Sequence, residues 1–133
     1  MEDKIYKILA VDDERDFVDT LKIRLSREGY DVVVAYDGNE ALSQVAKEDP
    51  DLILLDLMLP DKNGFEVLEE VRKNHNEKWK PVIIVSAKSD LETLKKGYRL
   101  EADHYITKPC NIGDILHGIK TMISLIPHRI NLD

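Results

Sequence analysis

The sequence predicts an α/β protein of three layers, a parallel β-sheet with helices on both faces. Two observations carry the prediction. Short apolar runs rich in β-branched residues recur along the chain, and stripes of helical period fill the intervals between them. Strands that are apolar throughout, rather than alternating, are buried on both faces, as in parallel sheets. Strand then helix, repeated along one chain, gives a helix-covered parallel sheet. Right-handed crossovers then leave only a few topologies.

The first strand is Ile8-Leu9-Ala10-Val11. Phe17, Leu21 and Leu25 recur at a spacing of four and predict the first helix, with Gly29 as its C′ residue. Val32-Val33-Val34-Ala35 is the second strand. Ala41, Leu42, Val45 and Ala46 form the second helical stripe, stopped before Pro50. Leu52-Ile53-Leu54-Leu55 is the third strand, and Phe65, Leu68 and Val71 the third stripe. Val82-Ile83-Ile84-Val85 is the fourth strand, followed by a weaker stripe of Leu91, Leu94 and Tyr98. A fifth, weaker strand lies near His104-Tyr105-Ile106. Ile112, Ile115, Leu116, Ile119, Ile123 and Ile126 make the clearest stripe, expected to end at Pro127.

Composition narrows the function classes. A 133-residue chain with 43% hydrophobic and 34% charged residues packs as a globule rather than remaining disordered. No repeat or linker divides it, so one domain over residues 1–133 is expected, with a core over about 6–126 and a tail over 127–133. The formal net charge of -7 opposes direct binding to nucleic acid. The apolar runs are too short to cross a bilayer. A single cysteine, Cys110, and no apolar stretch behind Met1-Glu2-Asp3-Lys4 point to a reducing cytoplasm.

Ligands of open α/β sheets sit beyond the carboxyl ends of the strands. There the sequence places Asp12 and Asp13 after the first strand, Asp56 after the third, Ser86 after the fourth and Lys108 after the fifth. Clustered carboxylates repel unless a cation holds them. Magnesium suits such a site, because it prefers oxygen ligands and needs only one or two carboxylates beside a phosphate oxygen. A carboxylate nucleophile, a metal, a lysine and a hydroxyl are the parts that phosphoryl transfer demands.

Each residue alone has an ordinary reading. Asp12 or Asp13 could cap the first helix, Asp56 could be a solvated loop residue, and Lys108-Pro109 is a common turn dipeptide. Their coincidence at one rim favours a site. The histidines, His75, His104, His117 and His128, show no metal-ligand clustering. Trp79 is read as surface packing near the end of the third helix or its loop, and Cys110 as a small packing residue. Lys95, Lys96 and Arg99 read as a solvated face of the fourth helix, with a docking patch as the sharper alternative.

Four segments together resemble the receiver domain of bacterial two-component response regulators. They are Ile8 to Glu14 (Ile-Leu-Ala-Val-Asp-Asp-Glu), Pro50 to Gly64, Pro81 to Ala87 and Ala102 to Pro109. The resemblance runs from about Ile8 to about Ile126 and implies a doubly wound (βα)5, flavodoxin-like fold with strand order 2-1-3-4-5. It implies Asp56 as phosphoacceptor, Asp12, Asp13, Asp56 and the Met58 backbone carbonyl as magnesium ligands, and manganese as a substitute metal. It further implies Lys108 at a phosphoryl oxygen, Ser86 as switch hydroxyl, Tyr105 as switch aromatic, and a cis Lys108-Pro109 bond.

The implied activity is that of a signalling phosphoacceptor, not an enzyme acting on a separate substrate. It catalyses its own phosphorylation and dephosphorylation. The implied partners are a sensor histidine kinase or phosphotransfer protein and a downstream protein on the face of the fourth helix, fifth strand and fifth helix. Pairing of two phosphorylated copies is a further expectation, and Tyr105 is expected to rotate inward when Ser86 moves. Lys88, two residues past Ser86, is expected to tune acyl-phosphate lifetime. Three residues depart from the pattern: Ser86 where threonine is also common, Glu101 where glycine is usual, and Cys110 where phenylalanine is frequent. Glu101 is expected to alter the turn after the fourth helix.

A haloacid-dehalogenase-type phosphatase would place its nucleophile after the first strand as Asp-x-Asp, whereas this strand ends in adjacent Asp12-Asp13. A nucleotide or flavin module would want G-x-G-x-x-G or a P-loop, and neither is present. A receiver used only for docking remains an alternative, as does a fragment of a longer regulator against a stand-alone protein.

Overall fold

The apolar runs form strands that are buried along most of their length. A computed structural model describes residues 4–73 and 78–130, the last four of these by their backbone. The elements are β1 Lys7–Val11, α1 Arg15–Arg27, β2 Asp31–Ala35, α2 Gly38–Glu48, β3 Leu52–Leu55, α3 Gly64–Lys73, β4 Val82–Ser86, α4 Leu91–Arg99, β5 His104–Thr107 and α5 Ile112–Ile130. All pairings are parallel, in the order β2-β1-β3-β4-β5. The three central strands are the most apolar, because β1, β3 and β4 have neighbours on both sides and helices on both faces.

Two cores flank the sheet. One gathers Ile8, Ala10, Leu52, Leu54 and Ile83 with Val18, Leu21 and Leu25 of α1 and Ile115 and Ile119 of α5. The other gathers Leu9, Ile53, Leu55 and Ile84 with Ala41 of α2, Val67 and Leu68 of α3, and Tyr105. Alternate residues of each strand thus feed opposite cores, as the pleat requires.

The helix ends follow local chemistry. At α1 the Gly29 amide donates to the Ser26 carbonyl and the Tyr30 amide to that of Leu25, with Gly29 at φ 95. That is the glycine-dependent Schellman arrangement expected from the sequence. Asp37 caps α2 through the Glu40 amide at 2.7 Å, and Asp90 caps α4 through the Thr93 amide at 3.1 Å.

Several expectations change. Helix α5 does not stop at Pro127 but runs to Ile130. A proline removes one amide bond and crowds the carbonyl one turn back, which can kink a helix without ending it. The α4 stripe is not a buried one: Leu91 and Tyr98 are exposed, and Gly97 is the helix's buried residue. Ser86 is the last residue of β4 rather than the first beyond it. Glu101 takes the left-handed conformation in the turn after α4, at φ 71, a region that favours glycine. Arg72 holds that turn, donating through Nε and a terminal nitrogen to the Glu101 carbonyl at 3.1 and 3.0 Å. The same side chain reaches the Lys80 carbonyl and Asp103 at 2.8 and 2.7 Å.

Trp79 lies in the segment before β4 and is half-buried. His117 is exposed and His104 half-buried. His75 and the side chain of His128 lie outside the described residues. No helix among the described residues is long and apolar enough to cross a membrane.

Candidate functional site

Parallel pairing brings the carboxyl ends of β1, β3, β4 and β5 to one rim. The Asp12 amide donates to the Ala35 carbonyl at 3.1 Å and the Asp56 amide to the Val11 carbonyl at 3.0 Å. Both aspartates therefore leave the sheet as ladder-bonded continuations of their strands. Asp12 is 2% exposed and Asp56 5%, whereas Asp13 stands in solvent. Carboxylate oxygens of Asp12, Asp13 and Asp56 all lie within 4.8 Å of one another.

Lys108 answers this charge. Its amide donates to the Ser86 carbonyl at 2.9 Å, and the next bond, Lys108-Pro109, is cis as expected. Its ammonium donates to Asp12 Oδ2 at 2.6 Å and Glu14 Oε1 at 3.2 Å, and stands 3.6 Å from Asp56 Oδ2. The ring of Phe17 lies 4.5 Å from the same nitrogen. Burial alone would lower the Lys108 pKa. The Asp12 hydrogen bond and the charges of Asp56 and Asp12 outweigh it and hold the group well above the ordinary lysine range. Burial pushes the Asp12 carboxyl up, and Asp56 adds to this, while Lys108 and the Glu14 amide pull it down. The Asp12–Lys108 contact, at 2.6 Å, has the length of a charge-assisted bond.

The capping reading of Asp12 fails in detail. Its Oδ1 accepts from the Glu14 amide at 3.0 Å, and Glu14, the N-cap of α1, makes no side-chain cap. The remaining donors suit a metal. Three carboxylates face one ammonium, so negative charge is in excess, and an all-oxygen set fits a hard divalent cation such as magnesium.

The loop beyond β3 is built around Asp56. The Met58 amide donates to Asp56 Oδ1 at 3.2 Å, while the Met58 side chain is exposed. Gly64 opens α3 against this loop, its amide donating to the Leu57 carbonyl at 2.9 Å. A Cβ on Gly64 would stand 2.4 Å from the Asp56 carbonyl oxygen and 2.7 Å from Leu57 Cα, so only glycine fits. Asp61 extends from the same loop to the start of α2, accepting from the Gly38 and Asn39 amides at 2.7 and 2.8 Å. Burial would raise the Asp61 carboxyl, but these amides hold it below the usual range.

Ser86 is fully buried, and its hydroxyl accepts from the Lys88 amide at 3.4 Å. The Tyr105 hydroxyl donates to the Lys88 carbonyl in a short hydrogen bond. Tyr105 is already inward, 8% exposed, beside Gly97, where an added Cβ would crowd Ile84 Cδ1 at 3.1 Å and meet the ring at an ordinary 3.6 Å. Burial raises the Tyr105 phenol pKa, and the charges of Asp90 and Asp56 add to this. Cys110 is a free thiol, raised mainly by burial and further by Asp114.

The structure therefore gathers Asp12, Asp13, Asp56 and Lys108 in direct proximity, with Ser86 on the adjoining strand end and Tyr105 linked to it through Lys88. Glu14, Phe17, Asp61 and Gly64 were not singled out from sequence. Glu14, Asp61 and Gly64 fall inside the motif segments, where their types could have flagged them; Phe17 reads only as helix stripe.

The family pattern described as the response regulator receiver domain matches residues 8–120. A CheY-like response regulator receiver domain protein from Methanospirillum hungatei JF-1 shares 32% identity and a TM-score of 0.85, over 98% of this chain and 100% of that one. The Vibrio cholerae chemotaxis protein CheY4 shares 29% identity and a TM-score of 0.83, over 90% and 99%. The BeF3-activated N-terminal receiver domain of Klebsiella pneumoniae RstA shares 27% identity and a TM-score of 0.79, over 87% and 97%.

Proposed function

The chain belongs to the response regulator receiver family of two-component systems, and from that premise we propose that Asp56 accepts a phosphoryl group from a phosphohistidine donor. The convergence of three carboxylates and Lys108 on one strand-end rim carries the reading. An Asp56 carboxylate oxygen attacks phosphorus, forming a P–O bond as the donor's P–N bond breaks. The imidazole nitrogen leaves with the electron pair. Lys108 meets the charge on an equatorial oxygen. Water later attacks the same phosphorus, releasing phosphate and restoring Asp56. Asp12, Asp13, Asp56 and the Met58 carbonyl would hold magnesium, or manganese in its place, which supplies positive charge against the phosphoryl oxygens.

Ser86 then turns its hydroxyl to a phosphoryl oxygen. The Lys88 amide loses that acceptor, and the Lys88 carbonyl with it shifts its hold on Tyr105. In this reading phosphorylation biases a two-state population in favour of inward Tyr105. The face of α4, β5 and α5, where Leu91 and Tyr98 are exposed, would receive the downstream protein or a second phosphorylated copy. The donor is a sensor histidine kinase or phosphotransfer protein. Residues 1–133 act as one receiver unit, not as an enzyme on a separate substrate. The free Cys110 thiol suits a cytoplasmic setting.

The test is intact mass after incubation with a small acyl phosphate, with and without magnesium, beside Asp56→Asn. A labile single adduct that requires both magnesium and Asp56 is expected. No adduct at short times, with no beryllofluoride binding, would favour a docking module. An adduct retained by Asp56→Asn would mean another acceptor.

A further inference from the structure

We infer that Glu14 is a positioning residue for Lys108: its carboxylate draws the ammonium to the α1 side of the pocket and so slows acceptance of a phosphoryl group at Asp56. The inference rests on Asp56 being the acceptor.

The geometry around the ammonium is asymmetric. Both of its hydrogen bonds to carboxylates run to the β1–α1 segment, at 2.6 Å to Asp12 and 3.2 Å to Glu14, while Asp56 stands at 3.6 Å. The last separation is too long for a hydrogen bond. Phe17, three residues on from Glu14 along α1, presents its ring to the same nitrogen at 4.5 Å. Glu14, the extended N-cap, and Phe17 in the first turn thus flank Lys108 together.

Glu14 is free for this task. Its amide is held by Asp12 Oδ1 at 3.0 Å and its carbonyl accepts from the Val18 amide at 3.1 Å. The backbone is thereby fixed, and the side chain makes no cap of its own helix. The carboxylate is 67% exposed, so neutralising it leaves no buried group unpaired. A phosphoryl oxygen on Asp56 must compete with Glu14 for the lysine protons. Glu14 thus acts through Lys108, and the charge it carries sets how readily the lysine serves Asp56.

The experiment compares phosphorylation rates with a small acyl phosphate and magnesium for wild type, Glu14→Gln, Asp16→Asn, Lys108→Met and the Glu14→Gln/Lys108→Met double variant. Asp16 is an exposed carboxylate in the same first turn and controls for charge alone. Glu14→Gln is expected to accelerate the reaction about twofold to fivefold, the range of an exposed ion pair. Asp16→Asn should fall short of that, and the gain should vanish in the Lys108→Met background. The second readout needs no metal: in 15N spectra of lysine ammonium groups, Lys108 should shift in Glu14→Gln and not in Asp16→Asn. A slower Glu14→Gln, an equal gain from Asp16→Asn, a gain that survives Lys108→Met, or an unmoved Lys108 resonance would each overturn the inference. Wild type that takes up no phosphoryl group overturns the acceptor reading and the rate claim with it. The ammonium spectrum then decides the Glu14–Lys108 contact by itself.

Discussion

The Tyr105 hydroxyl donates a hydrogen bond to the backbone carbonyl of Lys88, whose amide in turn donates to Ser86 Oγ at 3.4 Å. One backbone residue therefore stands between the hydroxyl at the end of β4 and the aromatic on β5. Register alone would not connect them, since Ser86 pairs with Thr107 and Tyr105 with Ile84. The link is made by the loop that leaves β4, and under the proposed switch it is the path by which a displacement of Ser86 would reach Tyr105.

Removing the hydroxyl should loosen that loop while leaving the ring packed. Tyr105→Phe is expected to cost about 1 kcal/mol, the usual net worth of one hydrogen bond. Amide exchange in the Lys88–Asp90 segment should rise, with the sheet core unaffected. Urea denaturation and hydrogen exchange by mass spectrometry check both. Unchanged exchange in the segment would mean that the Lys88 carbonyl is held by something other than Tyr105.

Gly64 sets the distance between α3 and the Asp56 loop. The obstructing atoms for a Cβ there are backbone, at 2.4 and 2.7 Å, and cannot rotate away. Gly64→Ala should therefore destabilise by about 1–3 kcal/mol, as overpacking does. It should also slow phosphorylation, because relief requires moving the Asp56 carbonyl. A stability loss with an unaltered phosphorylation rate would show that α3 yields instead of the loop.

Much of this was legible in the residues themselves. The runs Leu52 to Leu55 and Val82 to Val85 become strands because continuous apolar residues have nowhere to face but two cores. Asp12, Asp13, Asp56 and Lys108 converge because parallel strands deliver their carboxyl ends to one rim. Contacts made by rotamer choice were not legible. Glu14 meets Lys108 across 94 residues, and Asp61 meets Gly38 across 23, with no periodicity to announce either. Pro127 does not end α5, because a lost amide bond and one crowded carbonyl are local and the backbone beyond them stays helical to Ile130.

Acid stability should report the opposite end of the sheet. Asp51 is 7% exposed and accepts from the Lys7 amide at 2.8 Å, Lys78 at 3.0 Å and Lys4 at 3.1 Å. Burial would raise its carboxyl, but these donors outweigh it and hold the group below the ordinary aspartate range. A carboxyl depressed on folding contributes stability above its unfolded pKa, about 3.9, and loses it as pH falls through the folded value. Stability should decline on acidification below about pH 4, and Asp51→Asn should be less stable at neutral pH with a flatter acid limb. Urea midpoints at neutral pH and near pH 3 test this, and parallel curves for the two proteins would rule Asp51 out as the source.

Lys88 poses a question about side chain against backbone. Its amide and carbonyl are both engaged, while its side chain is exposed beside the rim, two residues past Ser86. Lys88→Ala preserves both backbone bonds and removes only the ammonium and its stem. On the hypothesis that this chain obstructs the in-line approach of water to an acyl phosphate on Asp56, the variant should lose its phosphoryl group faster than wild type. Lys88→Met keeps the bulk without the charge and should behave like wild type if obstruction is the cause. If Lys88→Met instead matches Lys88→Ala, charge governs the lifetime. An unchanged lifetime in both variants would assign Lys88 to the backbone link alone.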